Sequence, residues 1–393
     1  MNKKTNRSVI TVILVLGMFI STYGQYQLAA VPGSIYQLYQ LNDVQFSGLM
    51  TASMIPSIFL GVLMGVIADR FGLKRIISIS LIISIIGFVL RCFASDYAAM
   101  FLAMTLTGFA SAVFSANLSK IVACVYPAEK MGKMVGVLMT GTTGSMLAAY
   151  ATTAFIPSVE IAFWIAAAIC ILTGVLWIFL TKDSDFQKHA ESEDVPLRES
   201  FGVCLRSKNT WLLGLSLMFL FGGGMVVSNF QVAALTTLKG YSQAYAGTFG
   251  TVLMIGALIG AALMPAYVIG NKKAPVILLV SGVIAGIAML AIPYTSAPCI
   301  YIGSFLNGVL RGGMISILTA FPVMFPEIGP RYAGTSGGFA VTLQMIGGVV
   351  IPTYIIVPLG NGSMSMYFVY GMISMLICSV LAFIVAGATV KKE

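Results

Sequence analysis

Long apolar segments recur along the whole chain, and they limit the folds open to it. A helix needs about 20 mostly apolar residues to cross the hydrocarbon of a bilayer. Twelve such segments follow one another, at 9–33, 46–68, 76–94, 98–123, 133–155, 160–181, 210–235, 244–269, 274–292, 297–322, 332–357 and 364–388. Because backbone polar groups in lipid must be satisfied inside each helix, we predict an all-α membrane protein with twelve transmembrane helices.

The composition excludes a water-soluble fold and a nucleic-acid partner. The chain is 58% hydrophobic and 9% charged, against about 25% charged residues in a soluble domain. Its surroundings must therefore be a lipid bilayer. The net charge of +9 would suit nucleic acid, but the basic residues lie in short loops rather than on one face. We therefore expect no nucleic-acid partner.

Residues for catalysis, for metal binding or for ATP binding are scarce. The one histidine, His189, lies in a charged loop, and the six cysteines have no metal-ligand spacing. No GxxxxGK[ST] phosphate-binding loop is present. We expect no metal, no cofactor and no enzymatic activity.

The loop charges predict the orientation. Eighteen of the 22 Lys and Arg residues fall at the termini or in loops on one side of the predicted membrane. The positive-inside rule places that side, with both termini, in the cytoplasm. The short loops favour a bacterial inner-membrane protein, which we expect to act as a monomer.

The chain divides into two similar halves. The polar stretch 182–209 separates the sixth span from the seventh. The segment YQLAA from Tyr26 matches FQVAA from Phe230, and LTG from Leu106 matches LNG from Leu306. The order and spacing of these matches predict a duplication. Its parts are a six-helix bundle over 1–181, a cytoplasmic linker over 182–209 and a second six-helix bundle over 210–393.

The loop after the second span carries a family signature. It reads GVIADRFGLKR from Gly65 to Arg75 and resembles the G-x-x-x-D-R-x-G-R-R loop of the major facilitator superfamily, with Leu73 where that family has a basic residue. The resemblance extends over the whole chain and implies a secondary transporter that works by alternating access. It assigns a cytoplasmic latch to Gly65, Asp69, Arg70, Gly72 and Arg75. The alternative is that these charges only set the topology.

The resemblance also implies a central cavity lined by the first, fourth, seventh and tenth helices. Polar residues on those helices are the candidate substrate contacts: Tyr23, Tyr26, Gln27, Ser111, Asn229, Gln231, Asn307 and Arg311. In a tenth helix over 299–321, Arg311 lies roughly 18 Å from the start, near the midplane. A charge there costs at least about 2.5–3.5 kcal/mol, which favours a function. The alternative is a structural charge satisfied by carbonyls and amides of neighbouring helices.

The acidic residues are absent from the middle of every predicted span. All thirteen lie in loops or at helix ends, which argues against a pump for cationic drugs. A positive group in a cavity without acids suits a small organic or inorganic anion, held by charge-assisted hydrogen bonds. Symport with a proton and exchange for a counter-anion both stay open. The alternative function is efflux of neutral or hydrophobic drug-like compounds, with Arg311 structural.

Two further features of the sequence, the glycines of two spans and Arg91, have simple structural explanations. Glycines in the fifth and eleventh spans resemble those of the nitrate/nitrite, cyanate and oxalate/formate branches of the superfamily, although packing alone would also explain them. Arg91 lies near the outer end of the third span, close to Asp96. We expect Arg91 to extend towards the membrane surface or to pair with that carboxylate.

Overall fold

The structure, a computed structural model, describes residues 6–60, 67–68, 70–127, 130–186 and 197–390, and these residues form helices joined by short turns and loops. No strand occurs in these ranges. Eleven helices within them are long and apolar enough to cross a membrane. The predicted second span, 46–68, includes residues 61–66, which lie outside the described residues. The predicted all-α membrane fold is confirmed.

The first compact unit covers Met1–Ser192. Its helices are α1 (Arg7–Ala30), α2 (Pro32–Tyr39), α3 (Asp43–Ala52), α4 (Ile55–Leu60), α5 (Leu73–Phe93), α6 (Tyr97–Val125), α7 (Met131–Thr152) and α8 (Val159–Leu180). Helix α1 packs on α6, α7 and α8, and α5 packs on α6 and α8. The C-terminal half of α1, from Ile20 to Ala30, is buried within this arrangement.

The second compact unit covers Glu193–Glu393. Its helices are α9 (Leu197–Arg206), α10 (Lys208–Lys239), α11 (Gln243–Val268), α12 (Ala274–Met289), α13 (Ala291–Tyr294), α14 (Ala297–Ala320), α15 (Gly329–Val350), α16 (Val357–Gly360) and α17 (Met364–Val390). A π-helical turn, Ile351–Ile356, joins α15 to α16. Helix α10 packs on α14, α15 and α17, so it is central in this unit as α1 is in the first.

The long helix α10 extends beyond the predicted span 210–235 at both ends. Ser207 caps its start by accepting a hydrogen bond of 3.1 Å from the Thr210 amide. Gly240, with φ of 68°, ends it in the left-handed conformation that suits glycine. Hydropathy places the apolar core of a helix well but misses polar ends such as these, which its caps define.

The last part of the predicted linker belongs to the second unit. Helix α9 packs on α15, where the Tyr332 hydroxyl donates a 2.6 Å hydrogen bond to Glu199. Arg331 forms an ion pair of 3.7 Å with the same carboxylate. Residues 187–196 lie outside the described residues, so a linker over 182–209 stays a prediction.

The closest glycine packing joins α11 to α14. A Cβ at Gly260 would overlap the main-chain oxygen of Val309, and a Cβ at Gly308 would overlap that of Leu253. Such contacts let helix backbones approach closely in a membrane. By contrast, no atom lies within 4 Å of the Cβ position at Gly144 in the fifth span or at Gly334 in the eleventh. The glycines in those two spans therefore do not all serve packing within their own unit.

Candidate functional site

The guanidinium of Arg311 lies in the interior of the second unit. Arg311 as a whole is 8% exposed to solvent. Nη1 donates to the carbonyl oxygen of Gly224, and both terminal nitrogens lie close to Ser228 Oγ, at 3.2 and 3.3 Å. Gly224 and Ser228 are four residues apart on α10, so they share one face of that helix. This contact anchors α14 to α10 with neutral oxygen atoms.

The same face of α10 makes a second polar contact with α14. Gln231 follows Gly224 by seven residues, about two turns. Its Nε2 donates a hydrogen bond of 2.7 Å to Ser304 Oγ, while its Oε1 is buried and has no hydrogen-bond partner. Asn307, one turn from Ser304 on α14, donates to the Ala285 carbonyl at 2.8 Å, and its Oδ1 is also unpartnered.

Asn229 differs from these residues because neither end of its amide is engaged. The residue is 0% exposed. Both Oδ1 and Nδ2 are buried without a hydrogen-bond partner. Asn229 directly follows Ser228, which binds Arg311. The structure thus places Arg311, Asn229, Gln231 and Asn307 on two contacting helices of one unit.

Arg91 is fully buried, and the expectation that it extends to the surface or pairs with Asp96 is wrong. Its Nη1 donates to the Gly24 carbonyl at 2.7 Å, and its Nη2 donates to Gln27 Oε1 at 2.6 Å. Its guanidinium carbon lies 4.1 Å from the ring centroid of Phe163. The Asp96 carboxylate instead caps α6, accepting a 2.8 Å hydrogen bond from the Ala99 amide. Acceptors on α1 make the outward extension unnecessary.

In both units a buried arginine donates a hydrogen bond to a glycine carbonyl of the central helix, but the two arginines come from different helices. Arg91 on α5 binds a glycine carbonyl of α1, and Arg311 on α14 binds a glycine carbonyl of α10. In the register of the internal repeat, Gly24 corresponds to Ser228. Each unit's central helix is therefore held by a buried guanidinium at nearly the same level. The repeat itself did not reveal Arg91, because its counterpart in the other unit is not an arginine.

The remaining predicted substrate contacts in the first unit are dispersed. Gln27 is engaged at both ends, since its Nε2 also donates to the Ala162 carbonyl at 2.9 Å. The Tyr23 hydroxyl lies 3.4 Å from Thr152 Oγ1. Tyr26 is buried with its ring 5.7 Å from that of Tyr150. Ser111 is partly exposed on α6. Substrate contact by these four residues stays a prediction.

The predicted cytoplasmic latch, the loop from Gly65 to Arg75, lies only partly within the described residues. Gly65 and Asp69 lie outside the described residues. Arg70, Gly72 and Arg75 are exposed. Gly72 has φ of 89° immediately before α5, a conformation that other residues adopt only with strain. This explains the glycine, while the latch role stays a prediction.

The acids of the described residues stay at helix ends. They include Asp43 and Glu160 in first turns of helices, and Glu327, which accepts hydrogen bonds from Ser207 and Asn209. Among the described residues, Arg331 and Glu199 form an ion pair.

Comparisons with known proteins agree on one class. The family model described as Major Facilitator Superfamily matches residues 13–352. A bacterial homologue of the human lysosomal transporter Spinster, solved in an inward-facing and unoccupied conformation, superposes with a TM-score of 0.75 at 16% identity, over 98% of this chain and 96% of that one. The nucleoside transporter NupG gives 0.75 at 14% identity, over 98% and 100%. These likenesses show the fold.

One curated relative is similar in sequence. The solute carrier family 2 facilitated glucose transporter member 10 of Danio rerio is 28% identical over 159 residues. The match covers 39% of this chain and 31% of that protein. The chain thus spans about a third of the length of that relative.

Proposed function

The chain belongs to the Major Facilitator Superfamily, and we propose that the solute it carries is a small anion attracted by Arg311. The protein is a multi-pass membrane protein and a secondary transporter of a small molecule, and it is not an enzyme. The proposal concerns the chemical class of that molecule.

The observation that carries the proposal is a buried cation in a helix interior. Arg311 is 8% exposed and is the fifteenth residue of the 24 in α14. Gly224 and Ser228 contact it through neutral oxygens. In the sequence the acidic residues lie in loops or at helix ends rather than mid-span, and a buried charge is costly. A carboxylate or oxyanion would neutralise it, and the planar guanidinium can give such a group two parallel hydrogen bonds.

A neutral solute is the second candidate. The relatives named above are a glucose transporter and a nucleoside transporter. The hydrogen bonds from Arg311 to Gly224 and Ser228 would also suit a structural arginine. A drug-like compound falls in this neutral class. In this case the charge of Arg311 would have no part in transport.

Coupling and orientation belong to the proposal too. The coupling is either proton symport, with the proton carried without a mid-span carboxylate, or exchange against a second anion. The excess of Lys and Arg in alternate loops supports cytoplasmic termini, and the short loops favour a bacterial inner membrane. We expect a monomer to be the transporting unit.

The test is uptake into proteoliposomes. Acetate, propionate, lactate, oxalate, formate and nitrate would be offered singly and in counterflow to the native protein and to Arg311→Gln. Arg331→Gln is the matched control, because that arginine side chain is 57% exposed. Uptake of one anion by the native and control proteins, with loss in folded Arg311→Gln, supports the proposal. Uptake of glucose or a nucleoside that survives Arg311→Gln favours a neutral solute.

A further inference from the structure

We infer that Asn229 binds a hydroxyl group next to the negative group of the substrate, so that the substrate is a small hydroxy acid. This inference rests on the proposed function, since it takes Arg311 as the site of the negative group. It adds the chemical class of the rest of the molecule and a residue that selects it.

The first step is the state of the Asn229 amide. Burial takes both of its polar atoms out of water, and neither has a partner in the described protein. A buried polar group without a hydrogen bond is unfavourable. Gln231 and Asn307 are different, because each already donates through its NH₂ group. Asn229 is thus the residue of this cluster whose side chain is wholly available.

Asn229 and Ser228 lie on different sides of α10. Gly222 packs against Gly347 and Ile351, and Asn229 follows it by seven residues, about two turns. Asn229 therefore lies on the side of α10 that faces α15 and the π-helical turn. Ser228, one residue earlier, lies on the side that faces α14 and binds Arg311. The two side chains flank the strip of α10 between α14 and α15.

The third step is chemical complementarity. The unpartnered atoms of Asn229 are Oδ1, which accepts hydrogen bonds, and Nδ2, which donates them. A hydroxyl group both donates and accepts, so it satisfies both, whereas an ammonium group only donates. A ligand on the strip would place its carboxylate at Arg311 and its hydroxyl at Asn229. The unpartnered oxygens Gln231 Oε1 and Asn307 Oδ1 make the cluster richer in acceptors, which disfavours a second negative group there.

The size of the effect follows from related sites. A site built to hydrogen-bond a substrate hydroxyl rejects the analogue that lacks it, because the buried polar groups of the protein are then left unpaired. For one amide we expect a preference of about tenfold or more for the hydroxy acid over its deoxy analogue.

The experiment compares lactate, propionate and alanine, which differ in one substituent beside the carboxylate. Uptake by the native protein should favour lactate over propionate about tenfold in Vmax/KM. Asn229→Leu should carry propionate as before and lose the preference. Arg311→Gln should lose both acids. Ser216→Ala is the control, because that hydroxyl on α10 is bonded to its own helix, at 2.8 Å from the Leu212 carbonyl.

The outcomes separate this inference from the proposed function. If the native protein carries neither acid nor any other anion, the proposed function is overturned. If it carries both acids equally, or Asn229→Leu keeps the preference, the assignment of Asn229 is overturned while the anion remains. Preferred uptake of alanine overturns the hydroxyl in favour of an ammonium group. Should Asn229→Leu fail to fold, Asn229→Ala gives the same comparison without added bulk.

Discussion

Arg91 and Gln27 form a fully buried hydrogen bond of 2.6 Å between α5 and α1. The same guanidinium binds the Gly24 carbonyl, and the same amide binds the Ala162 carbonyl on α8. Three helices of the first unit thus meet at one polar contact. Because a glycine carbonyl of α10 meets Arg311 in the second unit, holding the central helix by a guanidinium is a shared property of the two halves.

Arg91→Met should destabilise the first unit. It leaves Gln27 Oε1 buried without its donor, at a cost of about 1–3 kcal/mol for an unsatisfied group, and it removes the side-chain hydrogen bond to the Gly24 carbonyl. Thermal unfolding in detergent would measure this as a lower Tm. An unchanged Tm would show that the contact adds nothing to stability. The double variant Arg91→Met/Gln27→Met should lose less than the sum of the single variants, since the two residues act together.

Gly224→Ala should disturb Arg311 without touching its charge. A Cβ at Gly224 would lie 2.5 Å from Cδ and 2.6 Å from Nη1 of Arg311. The guanidinium must therefore move, and we expect KM for the transported anion to rise at least severalfold. Gly338→Ala is the control, because no atom lies within 4 Å of its Cβ position. Equal KM values for both variants would show that the position of Arg311 does not matter for transport.

Gly260→Ala should impair folding of the second unit. The added Cβ would overlap main-chain atoms of Val309, which cannot yield as a flexible side chain can. Overpacking of this kind costs about 1–3 kcal/mol. The yield of monodisperse protein and its Tm would measure the effect. Gly144→Ala, which adds its methyl where no atom lies within 4 Å, should behave like the native protein, and equal behaviour of the two variants would contradict the packing at Gly260.

Sequence reasoning predicted the helical membrane fold because hydropathy depends only on local composition. It selected Arg311 for the same reason, since a charge in an apolar segment is visible without a structure. It misjudged Arg91, because the acceptors on α1 are about 65 residues away in sequence and only packing brings them close. The sequence also did not predict that the Asn229 amide has no hydrogen-bond partner, whereas the Gln27 amide has partners at both ends. Such differences arise from the helices that surround each residue.

Loosening α9 should expose Cys204. This thiol is buried against α15, 3.9 Å from the Tyr332 carbonyl, and burial raises the pKa of Cys204. Since the thiolate is the reactive form, labelling by a maleimide should be slow at neutral pH and should accelerate as the pH rises towards that pKa.

Glu199→Ala removes the acceptor that Tyr332 and Arg331 share and should raise the labelling rate of Cys204 severalfold. The exposed pair alone contributes about 1 kcal/mol at most, so the rest of the unit should stay folded. Peptide mapping after timed labelling would measure the rate, with the exposed Cys299 as the internal reference. If Cys204 reacted at the same rate in both proteins, the contacts of Glu199 would not be what holds α9 against α15. Apolar packing of α9 would then be sufficient to hold it there.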